Sequence, residues 1–78
     1  MKLTFDRARN VAYIRLAESP AQVESVRVSD ELNIDMTADG RVYGFELLNA
    51  NAQLQDLAGA RLFVENQLTG ETLDVSLP

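Results

Sequence analysis

Leu32-Asn33-Ile34-Asp35-Met36-Thr37 leads through Ala38-Asp39-Gly40-Arg41 into Val42-Tyr43-Gly44-Phe45-Glu46-Leu47-Leu48. Apolar and polar residues alternate on both sides of the Asp-Gly pair, and a period of two is the mark of a half-buried strand. Gly40, and less readily Asp39, can adopt the positive φ that a tight turn needs, so the segment predicts an antiparallel β-hairpin. Leu32, Ile34 and Met36 then face the core from the first strand, while Tyr43, Phe45 and Leu47 share one side of the second. Gly44 has no side chain on the opposite side. It marks either a bulge or room for something to lie against the sheet.

Upstream, Leu3 and Phe5 alternate with Lys2, Thr4 and Asp6, a short strand that ends in the turn Asp6-Arg7-Ala8-Arg9-Asn10. Val11 to Leu16 resumes, with Ala12, Ile14 and Leu16 on one face and Val11, Tyr13 and Arg15 on the other, until Ser19-Pro20 stops it. From Gln22 to Ser29 the alternation of Val23, Val26 and Val28 slips once, as at an edge strand or a bulge. Downstream, Asn49 to Gly59 reads as a short helix with an Asn cap and a stopping Gly, held to the sheet by Leu54, Leu57 and Ala58. From Ala60 the strand pattern returns: Leu62 and Val64, a turn over Asn66 to Gly70, then Leu73, Val75 and Leu77 form a second hairpin. The expected fold class is α+β, mostly β: a small antiparallel sheet built as a meander of hairpins, one short helix after Gly44-Phe45-Glu46-Leu47-Leu48, and a C-terminal hairpin.

The 78 residues carry 7 basic and 12 acidic side chains, a net charge of −5, and neither cysteine nor histidine. Disulfides, thiol nucleophiles, cysteine/histidine zinc sites and imidazole bases are therefore absent from the chain's chemistry. No apolar run approaches bilayer length, which predicts a soluble, cytoplasmic protein with no membrane partner. Eleven Leu, seven Val, two Ile and three Phe suffice for one core on one face of a sheet. The bases are scattered singly rather than gathered in a patch, so nucleic acid is not an expected partner; a basic protein is.

Asp6-x-x-x-Asn10-Val11-Ala12-Tyr13-Ile14-Arg15-Leu16, followed by Asn33-Ile34-Asp35-x-x-x-Asp39-Gly40-Arg41-Val42-x-Gly44-Phe45-Glu46-Leu47-Leu48-Asn49-Ala50, resembles the DUF2283 family of small bacterial and archaeal proteins. The resemblance covers about residues 2 to 54 of what reads as a single domain over residues 1–78, with residues 50–78 as a helix-and-hairpin extension. It departs from the family pattern at Asn10, where an acidic residue is usual, and after Gln53. It implies a compact antiparallel sheet followed by a helix. It implies little about activity, although some members resemble proteins encoded beside small RelE-like toxins, which suggests an antitoxin role.

Asp35, Asp39 and Glu46 are the one candidate carboxylate cluster, but hard cations take roughly six to eight oxygens, and turn and solvent-facing roles account for all three. No metal and no cofactor is expected. Without a positioned nucleophile or a phosphate loop, the chain is not expected to be an enzyme. Tyr13, Arg15, Tyr43, Gly44 and Glu46 are the candidate ligand or partner contacts. Arg15 and Glu46 are expected to pair across neighbouring strands, or Arg15 to hold a carboxylate above Gly44. Asp39 and Gly40 make the turn. The expected function is a protein-interaction module, antitoxin-like toward a basic protein; the alternatives are a binder or enzyme for a small carboxylate at the Tyr13/Arg15/Glu46 face, and a structural homo-oligomer, a dimer above all.

Overall fold

The computed structural model describes residues 1–54 and 61–76. Strands β1 (Lys2–Asp6), β2 (Val11–Arg15), β3 (Val23–Ser29), β4 (Leu32–Thr37) and β5 (Val42–Leu48) form one antiparallel sheet in the order β1-β2-β5-β4-β3. A helix, α1 (Ala50–Gln53), follows β5, and β6 (Arg61–Glu65) pairs with β7 (Thr72–Ser76) in a separate two-stranded sheet. The expected hairpins are all present; the order is not the sequential one, because β5 inserts between β2 and β4. Among the described residues no helix is long and apolar enough to cross a membrane.

Register explains where the side chains go. Leu3 lies opposite Ile14, Ile14 opposite Phe45, Phe45 opposite Ile34, and Ile34 opposite Val26, an apolar row across all five strands. A second row runs from Phe5 through Ala12 and Leu47 to Leu32. Ala12 and Ala50 are fully buried, and Leu3, Phe5, Leu47 and Leu54 pack around them. The core therefore sits where α1 turns back over the end of the sheet. Exposure rises away from the helix, reaching 42% at both Leu16 and Val42.

The β4–β5 turn is closed from both sides. Thr37 donates its amide to the Arg41 carbonyl, Gly40 donates to the Thr37 carbonyl, and the Thr37 hydroxyl donates to Asp39. Gly40 alone takes the positive φ, at 86°; Asp39 does not need it. The slip foreseen in Gln22–Ser29 has both suggested causes, since β3 is an edge strand and its register shifts between Arg27 and Ser29. A second shift opposite Asp35 and Met36 inserts Tyr43 as an extra residue in β5.

The helix departs from expectation. Among the described residues it spans Ala50–Gln53, and Asn49 makes no side-chain cap; Asn49 is instead left-handed, at φ 52°. The cap comes from a residue distant in sequence. Asn10, also left-handed at φ 57°, accepts the Asn51 amide on its side chain at 2.9 Å and the Ala50 amide on its carbonyl at 3.0 Å. Asn tolerates that backbone conformation and presents an acceptor, which accounts for its place before β2. Leu54 packs on the core as expected; Leu57, Ala58, Gly59 and Leu77 lie outside the described residues. In the β6–β7 hairpin the turn follows the predicted Asn66–Gly70 span, with Asn66 accepting the amides of Leu68 and Thr69 and Gly70 at φ 79°.

Candidate functional site

The polar face of the sheet is built on β2, β5, β4 and β3. Alternation on β2 sends Tyr13 and Arg15 away from the core side of Ala12 and Ile14, and the register sets Tyr13 opposite Glu46 and Arg15 opposite Gly44. On β4, Asn33 lies opposite Glu46 and Asp35 opposite Gly44; on β3, Ser25 lies opposite Asp35. Four of the five candidate residues, Tyr13, Arg15, Gly44 and Glu46, are thus adjacent. Tyr43 joins them through the bulge, because the extra residue breaks the alternation that would otherwise group it with Phe45 and Leu47.

The Tyr13 side chain crosses β5. Its hydroxyl donates to Asp35 Oδ2 at 2.6 Å, and the Ser25 hydroxyl donates to Asp35 Oδ1 at 2.5 Å, so one carboxylate joins β2, β4 and β3. Only glycine permits that crossing. A Cβ at Gly44 would stand 2.7 Å from the Tyr13 hydroxyl oxygen, 2.9 Å from its ring and 2.7 Å from the Ile14 carbonyl oxygen. Both roles anticipated for Gly44 hold, since it adjoins a bulge and what lies against the sheet there is Tyr13.

Burial of the phenol pushes the Tyr13 pKa well above its ordinary value, the hydrogen bond to Asp35 and that residue's charge push it further, and Tyr43 and Glu46 add to it. The hydroxyl is consequently a fixed donor and the tyrosinate is disfavoured. Glu46 accepts from the Asn33 side-chain amide at 3.1 Å.

Arg15 does not behave as expected. Its pair with Glu46 is not formed: the register places the two residues diagonally, Glu46 is held by Asn33, and Tyr13 fills the space above Gly44. The same filling rules out a carboxylate held above Gly44 by Arg15. Arg15 is half-buried opposite Lys2, and its Nε is buried without a hydrogen-bond partner among the described residues.

Asp35, Asp39 and Glu46 are engaged separately, with Tyr13 and Ser25, with Thr37 and Arg41, and with Asn33. Among the described residues no group of three or more His, Cys, Asp or Glu side chains is placed to hold a metal ion. Sequence reading missed Ser25 and Asn33, ordinary polar residues whose importance appears only when β3 and β4 are set in register. It also missed two open hollows. One, of about 480 Å³, is lined by Thr4, Asp6, Arg9, Val11, Tyr13 and Glu46. The other, of about 330 Å³, lies at the start of β3 between Gln22, Val23, Glu24, Met36, Thr37 and Ala38.

Fold and site together define a small antiparallel-sheet protein with a tyrosine–carboxylate strand clasp on its polar face. The chain belongs to the DUF2283 family, described as a protein of unknown function, whose model matches residues 2–51 and so spans the whole five-stranded sheet and the start of α1. Neither the curated proteins nor the solved structures contain a match.

Proposed function

We propose that this protein is a non-enzymatic, cytoplasmic interaction module that captures a basic protein by strand addition at β3, in the manner of an antitoxin. The observation that carries the reading is the edge itself. All seven residues Val23–Ser29 are exposed, and Val26 stands 49% open. The irregularity is confined to the Ser29 end, leaving Val23–Arg27 in unbroken register with β4. A partner strand laid there gains a row of main-chain hydrogen bonds. The hollow beside Val23 has an apolar wall, from Val23 and Met36, and an acidic one, from Glu24. That combination suits the aliphatic stem and cationic head of a partner Lys or Arg. The −5 charge of the chain steers such a partner toward it.

The test is co-expression with small basic proteins encoded beside its gene, followed by titration calorimetry at low and high salt. The expected result is a stoichiometric complex that weakens with salt and is lost on Arg27→Pro, which removes an amide on the free side of β3, where the neighbouring Val26 amide instead faces Ile34 of β4. A complex indifferent to that change refutes strand addition at β3.

A second reading rests on Arg15, whose buried Nε has no acceptor among the described residues. A small carboxylate supplied from solution would provide one. Thermal-shift measurements with simple mono- and dicarboxylates test it, the expected stabilisation disappearing in Arg15→Met.

A further inference from the structure

We infer that the β6–β7 hairpin is an exchange arm, which lays its apolar side on the open apolar face of the five-stranded sheet of a second copy of this chain. The hairpin has two unlike sides. Leu62 lies opposite Val75 and Val64 opposite Leu73, a stripe of four aliphatic side chains; Arg61, Phe63, Glu65 and Asp74 belong to the other side, where Arg61 pairs with Asp74 and stacks over Phe63. The stripe is open to solvent, its four residues being 38–62% exposed. A two-stranded hairpin is at best marginally stable alone, so this one needs a surface to pack on.

The sheet offers a matching surface. Beyond α1, the row Ile14–Phe45–Ile34–Val26 and the more exposed Leu16 and Val42 are apolar and incompletely buried, Ala12 and Ala50 being the buried hydrophobic residues among those described. Within the single chain the two surfaces do not satisfy each other: the stripe is exposed, and the hairpin makes no hydrogen bond to the sheet among the described residues.

The area argues for a second copy. The chain exposes 5964 Å², roughly 1,300 Å² more than a compact monomer of its 8.6 kDa mass. Removing that excess from each of two chains gives an interface of roughly 2,500 Å², the size of an obligate homodimer. A reciprocal exchange is isologous and closes with two-fold symmetry, so it yields a dimer and not a fibre. It covers the apolar face, Val26 included, and leaves the main-chain edge of β3 open, so its failure and that of the strand-addition reading are separately visible.

Light scattering and sedimentation of the full chain at micromolar concentration should give twice the 8.6 kDa mass. The double variant V64E/L73E should weaken the dimer by about a hundredfold or more, because it buries unpaired charge, whereas E65K on the other side of the arm should not. Since the chain has no cysteine, a thiol introduced on the arm (V64C) and one on the sheet (I34C) can be placed in separate chains, mixed, and joined by a short bis-maleimide. Cross-linking between chains is the expected result. A monomer at every concentration, a double-cysteine chain cross-linked only within itself, or a dimer unaffected by V64E/L73E and lacking the inter-chain product would each overturn the arm exchange. Should V64E/L73E unfold the hairpin, the cross-link alone decides.

Discussion

Gly44→Ala isolates the strand clasp. The added methyl meets the Tyr13 hydroxyl oxygen at 2.7 Å, which can swing away, and the Ile14 carbonyl oxygen at 2.7 Å, which belongs to β2, a strand paired on both sides. Overpacking of this kind costs about 1–3 kcal/mol. Displacing Tyr13 also weakens its bond to the Asp35 carboxylate, and a hydrogen bond to a charged group is worth about 1.5–3 kcal/mol. The two losses overlap, since one movement relieves the first and causes the second, so the expected total is about 2–4 kcal/mol. Urea unfolding followed by circular dichroism reads it as a fall in midpoint with the slope unchanged. Tyr13→Phe alone should cost about 1–2 kcal/mol, by stripping Asp35 of one of its two donors. In the Tyr13→Ala background, Gly44→Ala should cost less than in the wild type, because only the Ile14 clash remains. A Gly44→Ala protein within about 0.5 kcal/mol of wild type, or a cycle without coupling, would refute the assignment of Gly44 as the seat of Tyr13.

Three further outcomes are expected. Because the folded-state pKa of Tyr13 is raised above its unfolded value near 10, its contribution is fully present below that pH and is lost as pH climbs from there toward the folded value; alkaline unfolding should therefore be less steep in Tyr13→Phe, read by tyrosinate absorbance and circular dichroism together. Asn10→Ala should cost about 1–2 kcal/mol by thermal unfolding, more than Asn49→Ala, because both changes replace a left-handed Asn but only Asn10 accepts the Asn51 amide. Gly40→Ala should cost about 1 kcal/mol from backbone strain alone, since nothing stands within 4 Å of the new methyl.

The elements of this fold were readable because each is a local pattern. Alternation marked Lys2–Asp6, Val11–Arg15 and Leu32–Leu48, Asp39-Gly40 marked the turn, and the slipped valines of Val23–Ser29 marked an edge with a bulge. The motif spanning these strands was also sufficient to indicate the family. The helix was legible as an element but not in its cap: Asn49 had the right residue type in the right place, yet the acceptor is Asn10, reachable only once β2 lies beside β5. The candidate site divides in the same way. That Tyr13, Arg15, Gly44 and Glu46 share a face followed from a period of two, whereas their partners did not.

Partner choice is a matter of register and of reach across strands, which no periodicity carries. The insertion of β5 between β2 and β4 brings Asp35 within range of Tyr13, although 22 positions separate them, and sets Glu46 against Asn33 instead of Arg15. The absence of a side chain at Gly44 was visible from the start, but the occupant of that space was decided by the tertiary structure, because a phenol is long enough to span one strand and a carboxylate waits on the far side. Sequence alone determined which residues prefer the apolar face and which the polar one, a preference set by transfer from water and by alternation. The fold alone decided which polar groups meet, because hydrogen bonds depend on distances of a few tenths of an ångström that only packed strands can set.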